Sequence, residues 1–237
     1  MNKVLKKADN PNILCFFCST NFHQMLKIGH RGAKGYVAEN TLQSFQKAID
    51  LKVDGIELDV HLSSDKKIIV IHDKTIDRTT SNKGFVNNFT SDELQQLNIP
   101  TLEEVIDLVH QQCFINIEIK EAKATLEVLK IIEKYPKQIF QISSFEWEIL
   151  EIISKENPEI NLGVLTEDNL EDALAFAKKI KAKSINPYFK LLHSENVKRI
   201  HENKFKIFTW TVNQPEDITF VKSLAVDGII SDFPDRI

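Results

Sequence analysis

The chain has 237 residues, of which 42% are hydrophobic and 27% charged, and its formal net charge is −4. These values are ordinary for a globular protein with a sizeable core, and the length fits one large α/β barrel or two small domains. The acidic balance, with no overriding Lys/Arg cluster, excludes a nucleic-acid partner or an anionic membrane surface, and no apolar run approaches the ~18–20 residues of an integral membrane segment.

Residues 1–24 precede the first convincing strand and are expected to be an N-terminal extension, either disordered or the product of a non-native start at Met1 rather than Met25. Their apolar run, Ile13–Cys18, is shorter than the usual signal-peptide core of about 7–15 residues. Cys15 and Cys18 lack the second ligand pair of a zinc site, and Cys113 is interpreted as a small core residue. Three cysteines make no disulfide framework, which favours a cytoplasmic location and leaves secreted or periplasmic ones open.

From Leu26 onward, short apolar strands alternate with amphipathic helices. The predicted strands are Leu26–His30, Gly55–His61, Phe114–Lys120, Ile139–Ser143, Asn161–Leu165, Ser184–Tyr188, Lys206–Val212 and Gly228–Ser231. The predicted helices are Thr41–Leu51, Leu102–Gln112, Ala122–Tyr135, Glu146–Asn157, Asn169–Ile180, Ser194–Asn203 and Pro215–Leu224. Thr101 with Glu104 predicts a capping box, and Ser194 a plain N-cap.

One further strand follows the second one in the sequence. Ser63 to Lys67 has turn chemistry and Ile68–Ile71 is a β-branched run, which together predict a hairpin. A reversal near Asp65 and Lys66 would bring His72 back beside Asp59.

The remaining eight strands, with helices between them, predict a parallel sheet. Eight such units in ~210 residues favour a closed (β/α)8 TIM barrel with a β-hairpin extension after strand 2. A doubly wound open sheet is the alternative, but Gly29, Gly32 and Gly35 do not fit its glycine-rich fingerprint.

In such barrels the chemistry lies where the carboxyl ends of the strands meet, here called the mouth. Side chains two apart in a strand share a face, so the acids of Gly55–His61 lie together, as do Glu118 and Lys120. The polar residues expected at the mouth are His30, Arg31, Glu57, Asp59, His72, Glu118, Lys120, Ser143, Ser144, Asn186 and, on strand 7, Trp210.

Glu57, Asp59 and Glu118 offer an all-oxygen site, which favours Mg²⁺ or Ca²⁺, with Mn²⁺ as a further candidate. The alternative is that one or more of these acids only forms salt bridges with Arg31 or Lys120. Three acids at one mouth favour the cation, because like charges packed closely need neutralisation.

Arg31 and Lys120 suit an anionic oxygen ligand such as phosphate. His30 and His72 titrate near neutrality and are candidates for general base and general acid in in-line phosphoryl chemistry. None of the other histidines is assigned a catalytic role. His61 comes closest to one, because it shares the strand face of Glu57 and Asp59.

A series of motifs resembles the glycerophosphodiester phosphodiesterase family over essentially Leu26 to Pro234. The motifs are His30-Arg31-Gly32, Glu39-Asn40-Thr41, Asp54 to Val60, His72-Asp73, Ile99 to Glu104, Glu118-Ile119-Lys120, Ser143-Ser144-Phe145, Thr209 to Asn213 and Asp227 to Asp232. The resemblance implies a metal-dependent TIM-barrel hydrolase of lipid and glycerol metabolism, with residues 25–237 as its catalytic domain. It implies small-molecule glycerophosphodiester substrates and the products sn-glycerol 3-phosphate and an alcohol.

The resemblance also assigns roles to individual residues. It implies His30 and His72 as the acid/base pair and Glu57, Asp59 and Glu118 as metal ligands. It implies phosphate contacts by Arg31 and Lys120 and an apolar wall at Trp210. Glu39 and Asn40 match a motif that supports the groups in contact with metal and substrate, although Asn40 is equally suited to be a helix N-cap.

Two departures from the family pattern concern the loops. Leu97-Asn98 runs almost directly into Ile99-Pro100 where the family carries a longer insertion, and Ala38 replaces a proline. The alternatives left open are a related barrel that cleaves lysophospholipids or inositol phospholipids, a non-catalytic phosphate-binding barrel and a purely structural barrel. The head group, the roles of the two histidines, the nucleophile and the oligomeric state are not assigned.

Overall fold

A computed structural model describes residues 25–237, whose parallel strands form a closed barrel. Strand β1 (Leu26–Gly29) pairs with β2 (Gly55–Leu62) on one side and with β9 (Gly228–Ser231) on the other, so the sheet has no open edge between them. The predicted (β/α)8 barrel is therefore confirmed and the open-sheet alternative is wrong. The barrel strands are β1 (Leu26–Gly29), β2 (Gly55–Leu62), β4 (Phe114–Ile119), β5 (Phe140–Ser144), β6 (Asn161–Thr166), β7 (Ser184–Pro187), β8 (Lys206–Thr209) and β9 (Gly228–Ser231).

The hairpin predicted after the second strand is present. β3 (Ile68–Val70) pairs antiparallel with the end of β2, and Val60 lies opposite Val70. The turn closes where the Ser63 amide donates to the Lys67 carbonyl at 3.0 Å and Lys66 has φ 62°. Because the Ile71 amide also donates to the Asp59 carbonyl, the chain delivers His72 to the mouth as predicted.

Helices lie between the strands; seven follow the predicted order, and one short helix, Ser91–Gln95, was not predicted. They are α1 (Leu42–Asp50), α2 (Ser91–Gln95), α3 (Leu102–Val109), α4 (Thr125–Ile132), α5 (Trp147–Glu156), α6 (Leu170–Ile180), α7 (Ser194–Glu202) and α8 (Pro215–Ser223). The Thr101–Glu104 capping box is confirmed. The N-cap predicted at Ser194 is wrong, because His193 occupies that position and its amide donates to Asn196 Oδ1.

Several other boundaries differ from the prediction by one to three residues, and two of them have a clear structural reason. β8 stops at Thr209, because Trp210 makes only an isolated bridge to Tyr188. The helix predicted to start at Ala122 begins with a 3₁₀ turn and becomes α-helical at Thr125. The predicted extension of residues 1–24, with its Cys-x-x-Cys, lies outside the described residues.

The main core fills the space between the outer faces of the strands and the helices, and it includes buried Cys113. A second apolar cluster closes the interior of the barrel at its lower end, opposite the mouth. Its members are Leu26, Ile28, Phe114, Phe208 and Ile230. The polar side chains nearer the mouth therefore lie above a layer of apolar side chains.

The segment between β2 and α3 has a small core of its own. Ile69, Ile71, Ile76, Val86, Leu94 and Ile99 form this cluster, which is separate from the main one. α2 lies in this segment and is capped by a second box, Thr90 with Glu93. We call residues 63–100 the excursion, because they leave the barrel after β2 and return before α3.

The turn after β1 depends on a glycine. Gly32 has φ +85°, and a Cβ there would lie 2.7 Å from the backbone carbon of Ser44 in α1. Gly32→Ala is therefore expected to destabilise the fold by about 2–4 kcal/mol, measured by urea unfolding. Gly84→Ala is the control: it also has positive φ, but its Cβ would meet only the Phe89 ring, at 3.1 Å, so a smaller loss is expected. Equal losses would contradict this account.

Candidate active site

Three buried carboxylates lie together at the mouth. Glu57 and Asp59 share the inner face of β2, and Glu118 comes from β4, where it pairs in register with Asp59. Each residue offers a carboxylate oxygen, and these oxygens lie within 4.8 Å of one another. Alternation along two neighbouring strands thus brings the predicted acids together.

Two cations pair with these acids, as the salt-bridge alternative anticipated. Lys120 Nζ lies 3.0 Å from Asp59 Oδ1 and also contacts Glu118. Arg31 Nε lies 3.2 Å from Asp59 Oδ2, and the Arg31 amide donates to Glu57 Oε2 at 3.0 Å. The salt bridges exist, but two cations face three acids.

The charge is shared unequally among the three acids. Burial would raise the pKa of Asp59, but Lys120 and Arg31 hold it at about 2. Burial and the neighbouring Asp59 raise the pKa of Glu118 to about 7, and burial likewise raises that of Glu57. The cluster therefore lacks positive charge, and the deficit lies at Glu57 and Glu118.

His30 borders the cluster on the β1 side. Its Nδ1 lies 2.6 Å from Asp232 Oδ1, and its Nε2 lies 4.0 Å from Glu57 Oε2. Asp232 is itself fixed, because Asn213 donates to its Oδ2 at 2.8 Å. Burial lowers the pKa of His30, and the Asp232 carboxylate opposes that shift. The imidazole is thus held at Nδ1, with Nε2 on the side of the carboxylate cluster.

His72 has the same arrangement at the end of the hairpin. Its Nδ1 lies 2.6 Å from Asp73 Oδ1, and burial lowers its pKa. His61 is buried nearby, with Nε2 3.1 Å from the His72 carbonyl oxygen and Nδ1 3.4 Å from Glu121. His61 therefore contacts the backbone of His72 and the side chain of Glu121.

The Arg78 guanidinium links the carboxylate next to His72 to the carboxylate next to Arg31. Its Nε and Nη2 donate to Asp73 at 2.7 and 3.0 Å, and its Nη1 and Nη2 donate to Glu39 at 3.0 and 2.7 Å. Glu39 also accepts from Arg31 Nη1 at 2.7 Å. One guanidinium therefore orients the carboxylate behind His72 and the carboxylate behind Arg31.

Asn40 lies beside the same network. Its Nδ2 donates to Asp59 Oδ2 at 2.9 Å. The N-cap of α1 is Thr41, whose side chain accepts from the Ser44 amide. Asn40 is therefore not the helix N-cap, and its side chain supports a carboxylate of the cluster.

Glu39 should make the fold sensitive to acid. Burial would raise its pKa, but Arg78 and Arg31 hold it at about 2, below its ordinary value of 4.5. A depressed carboxyl pKa contributes stability above the unfolded-state pKa, and that contribution is lost as the pH falls from about 4.5 to about 2. Glu39→Gln should therefore cost about 1–3 kcal/mol at pH 7 and much less at pH 2.5, measured by urea unfolding against wild type. A cost independent of pH would contradict the ion pairs.

A cavity of about 110 Å³ opens beside these groups. One wall carries the charged residues, and the other is apolar and includes Leu165, Phe145 and Trp210. The Trp210 indole is fixed by its Nε1–H, which donates to the Asn186 carbonyl at 2.8 Å, and by an edge-on contact with the Phe145 ring. The predicted position of Trp210 at the mouth thus corresponds to a wall of the cavity.

The structure brings all the predicted site residues together at this mouth, and it adds four that were given no role. Asp232, Asn213, Asp73 and Arg78 orient the two histidines. Asp73 follows His72 directly, and Asp232 and Asn213 lie in motifs after β9 and β8. Their places in the sequence therefore indicated that these three residues lie at the mouth. Arg78 lies in the excursion, where strand alternation gives no signal.

The donor set fits a divalent cation. All donors in the acidic cluster are carboxylate oxygens, which Mg²⁺, Ca²⁺ and Mn²⁺ prefer. The raised pKa values of Glu57 and Glu118 indicate that a further positive charge would be stabilised there. A divalent metal site is therefore supported at the three acids.

Comparison with known proteins agrees with this geometry. Residues 30–236 match the glycerophosphoryl diester phosphodiesterase family. Curated proteins named glycerophosphodiester phosphodiesterase, from Bacillus altitudinis and Caldanaerobacter subterraneus subsp. tengcongensis, are 38% and 36% identical; each alignment covers 90% of this chain and 96% of the relative. The crystal structure of glycerophosphodiester phosphodiesterase from Thermotoga maritima has a TM-score of 0.82 at 31% identity, covering 91% of this chain and 97% of that one.

Proposed function

The chain belongs to the glycerophosphoryl diester phosphodiesterase family, and from that premise we propose that it hydrolyses glycerophosphodiesters to sn-glycerol 3-phosphate and an alcohol. The observation that carries the proposal is the arrangement at the mouth. A carboxylate cluster lies beside one cavity with two cationic side chains and two histidines that are each held by an aspartate.

Each group in this arrangement has a proposed role. Glu57, Asp59 and Glu118 would hold the divalent cation, with Mg²⁺ or Ca²⁺ expected and Mn²⁺ a further candidate. When bound, such a cation polarises a phosphoryl oxygen and neutralises charge. Arg31 and Lys120 supply positive charge for the phosphate, as a fork and a point charge respectively.

His30 and His72 are proposed to move protons. One removes the proton from the attacking oxygen, and the other protonates the leaving alkoxide. Both need a defined tautomer, and the Nδ1 contacts with Asp232 and Asp73 supply it by leaving Nε2 free for the reaction. Either water or the glycerol 2-hydroxyl is a possible nucleophile.

Residues 25–237 would form the whole catalytic domain, since the barrel and all the proposed site residues lie within them. Within this part of the chain, no helix combines the length and apolar character required to cross a bilayer. The proposed partner is a small molecule, because the charged side chains of the site line one cavity.

The test is a coupled assay for released glycerol 3-phosphate. Glycerophosphocholine, glycerophosphoethanolamine and glycerophosphoglycerol would each be supplied with and without added cations. Cation-dependent release from at least one of them is expected. Binding of these substrates without turnover would favour a non-catalytic phosphate-binding barrel. Cleavage of lysophospholipids or inositol phospholipids alone, followed by analysis of their own products because neither yields glycerol 3-phosphate, would favour the related barrel enzymes.

A further inference from the structure

Two buried polar side chains in the cavity have an oxygen with no hydrogen-bond partner among residues 25–237. They are Ser143, whose Oγ is unpartnered, and Asn116, whose Oδ1 is unpartnered. Ser143 is 0% exposed and Asn116 1% exposed, and both line the cavity beside the acidic cluster. A buried hydroxyl or amide oxygen without a partner is destabilising, so each such atom calls for an explanation.

Strand register places both residues next to the acids. Ser143 of β5 pairs with Glu118, and Asn116 of β4 pairs with Glu57. Partners in register on parallel strands point to the same face, so these two side chains continue the rows of carboxylates across the barrel interior.

The neighbouring serine shows that β5 can satisfy a hydroxyl group where no ligand is needed. Ser144 Oγ donates to the Ile119 carbonyl at 2.8 Å and accepts from the Glu146 amide at 3.0 Å. Gln141 and Asn186 also have an unpartnered atom, but neither residue lines the cavity. Arg31 Nε also lacks a hydrogen-bond partner at the cavity, but it forms an ion pair with Asp59. Among the hydroxyl and amide groups of residues 25–237, the unsatisfied ones that line the cavity are therefore those of Ser143 and Asn116.

The chemistry of these two groups suits a hydroxyl rather than a phosphate. An amide oxygen accepts hydrogen bonds and repels an anion, whereas a serine hydroxyl both donates and accepts. The cations that suit a phosphate, Arg31 and Lys120, lie on the charged wall, and Leu165 and Trp210 offer apolar surface for methylene groups.

We propose that Ser143 and Asn116 form a subsite that binds a hydroxyl group of the substrate's glycerol moiety and so selects glyceryl esters over simple alkyl esters. The proposal deepens the proposed function and rests on it. A site with buried polar groups discriminates strongly against an analogue that lacks the hydroxyl, because those groups are then left unpaired.

The test compares two ligands that differ only in hydroxyl groups, sn-glycerol 3-phosphate and propyl phosphate. Dissociation constants would be measured by calorimetry with wild type, Ser143→Ala and Asn116→Ala in the presence of the activating cation. Wild type is expected to bind glycerol 3-phosphate at least tenfold more tightly than propyl phosphate. Ser143→Ala should weaken binding of glycerol 3-phosphate about tenfold and that of propyl phosphate less than threefold, and Asn116→Ala should show the same selective loss.

Ser144→Ala is the matched control, since it removes a hydroxyl from the next residue of the same strand and should leave the ratio of the two constants unchanged. Equal weakening of both ligands by Ser143→Ala and Asn116→Ala, or no weakening by either, would overturn the subsite and leave buried water as the partner of these groups. Failure of the proposed function gives a different result: wild type would release no glycerol 3-phosphate in the coupled assay. Thermal melts of each variant distinguish selective loss from unfolding.

Discussion

Replacing His30 or His72 by alanine is expected to lower kcat by about 10²–10⁴-fold, the usual contribution of a general acid or base. The fold should survive, because both side chains lie at the mouth rather than in the main core. The reason for the loss is geometric: each imidazole is fixed at Nδ1 by an aspartate and borders the cavity. Steady-state kinetics on the best glycerophosphodiester, with circular dichroism as the check on folding, measure the effect.

A matched control is available in His193→Ala. That residue is the exposed N-cap of α7, so its removal should change kcat by less than about twofold. Activity above a tenth of wild type in both His30→Ala and His72→Ala would contradict the proposed acid/base roles. A change confined to KM in either variant would assign that histidine to binding instead.

Removal of divalent cations should abolish turnover and lower the melting temperature. The three carboxylates repel one another when only Arg31 and Lys120 oppose them, and a bound cation relieves that repulsion. A cation at 100 times its dissociation constant stabilises the folded state by about 2.7 kcal/mol, which for a chain of this size raises Tm by roughly 5–10 °C. Scanning calorimetry in EDTA, then with Mg²⁺, Ca²⁺ or Mn²⁺ separately, measures the shift without reference to activity.

Glu118→Gln provides the control for this prediction. It retains the shape of the side chain but removes one charge from the cluster, so the cation-dependent shift in Tm should shrink. The metal-free variant should melt at or above the temperature of metal-free wild type, because the raised pKa of Glu118 marks its charge as unfavourable without a cation. Full activity in EDTA, or an unchanged shift in the variant, would exclude a metal site at these residues.

Most of the barrel could be predicted from the sequence because its signals are local. Alternation in β2 placed Glu57 and Asp59 on one face, and strand–helix alternation predicted the fold. The boundaries were less exact, and α2 was missed because five residues are too few to show helical periodicity. The N-cap at Ser194 was wrong by one position, since a serine at the first helical residue has the same composition signal.

Two of the supporting contacts could not be predicted because they join residues that are far apart in the chain. His30 and Asp232 are separated by 202 residues, and Arg78 reaches Glu39 across 39. Only closure of the barrel brings β1 beside β9 and so fixes the first contact. The second depends on how the excursion folds back, for which the sequence carries no periodic signal.

The separate core of the excursion has a consequence for how the enzyme can diversify. One imidazole and the Arg78 guanidinium stand on a unit that packs around Ile69, Ile76 and Leu94, whereas the carboxylates stand on the barrel strands. Insertions or deletions at the tip of that unit can reshape the approach to the cavity while the carboxylates on the barrel strands stay in register. His72 and Arg78 belong to the same unit, so only changes that preserve the segment from β3 to Arg78 would leave the proposed acid/base pair intact.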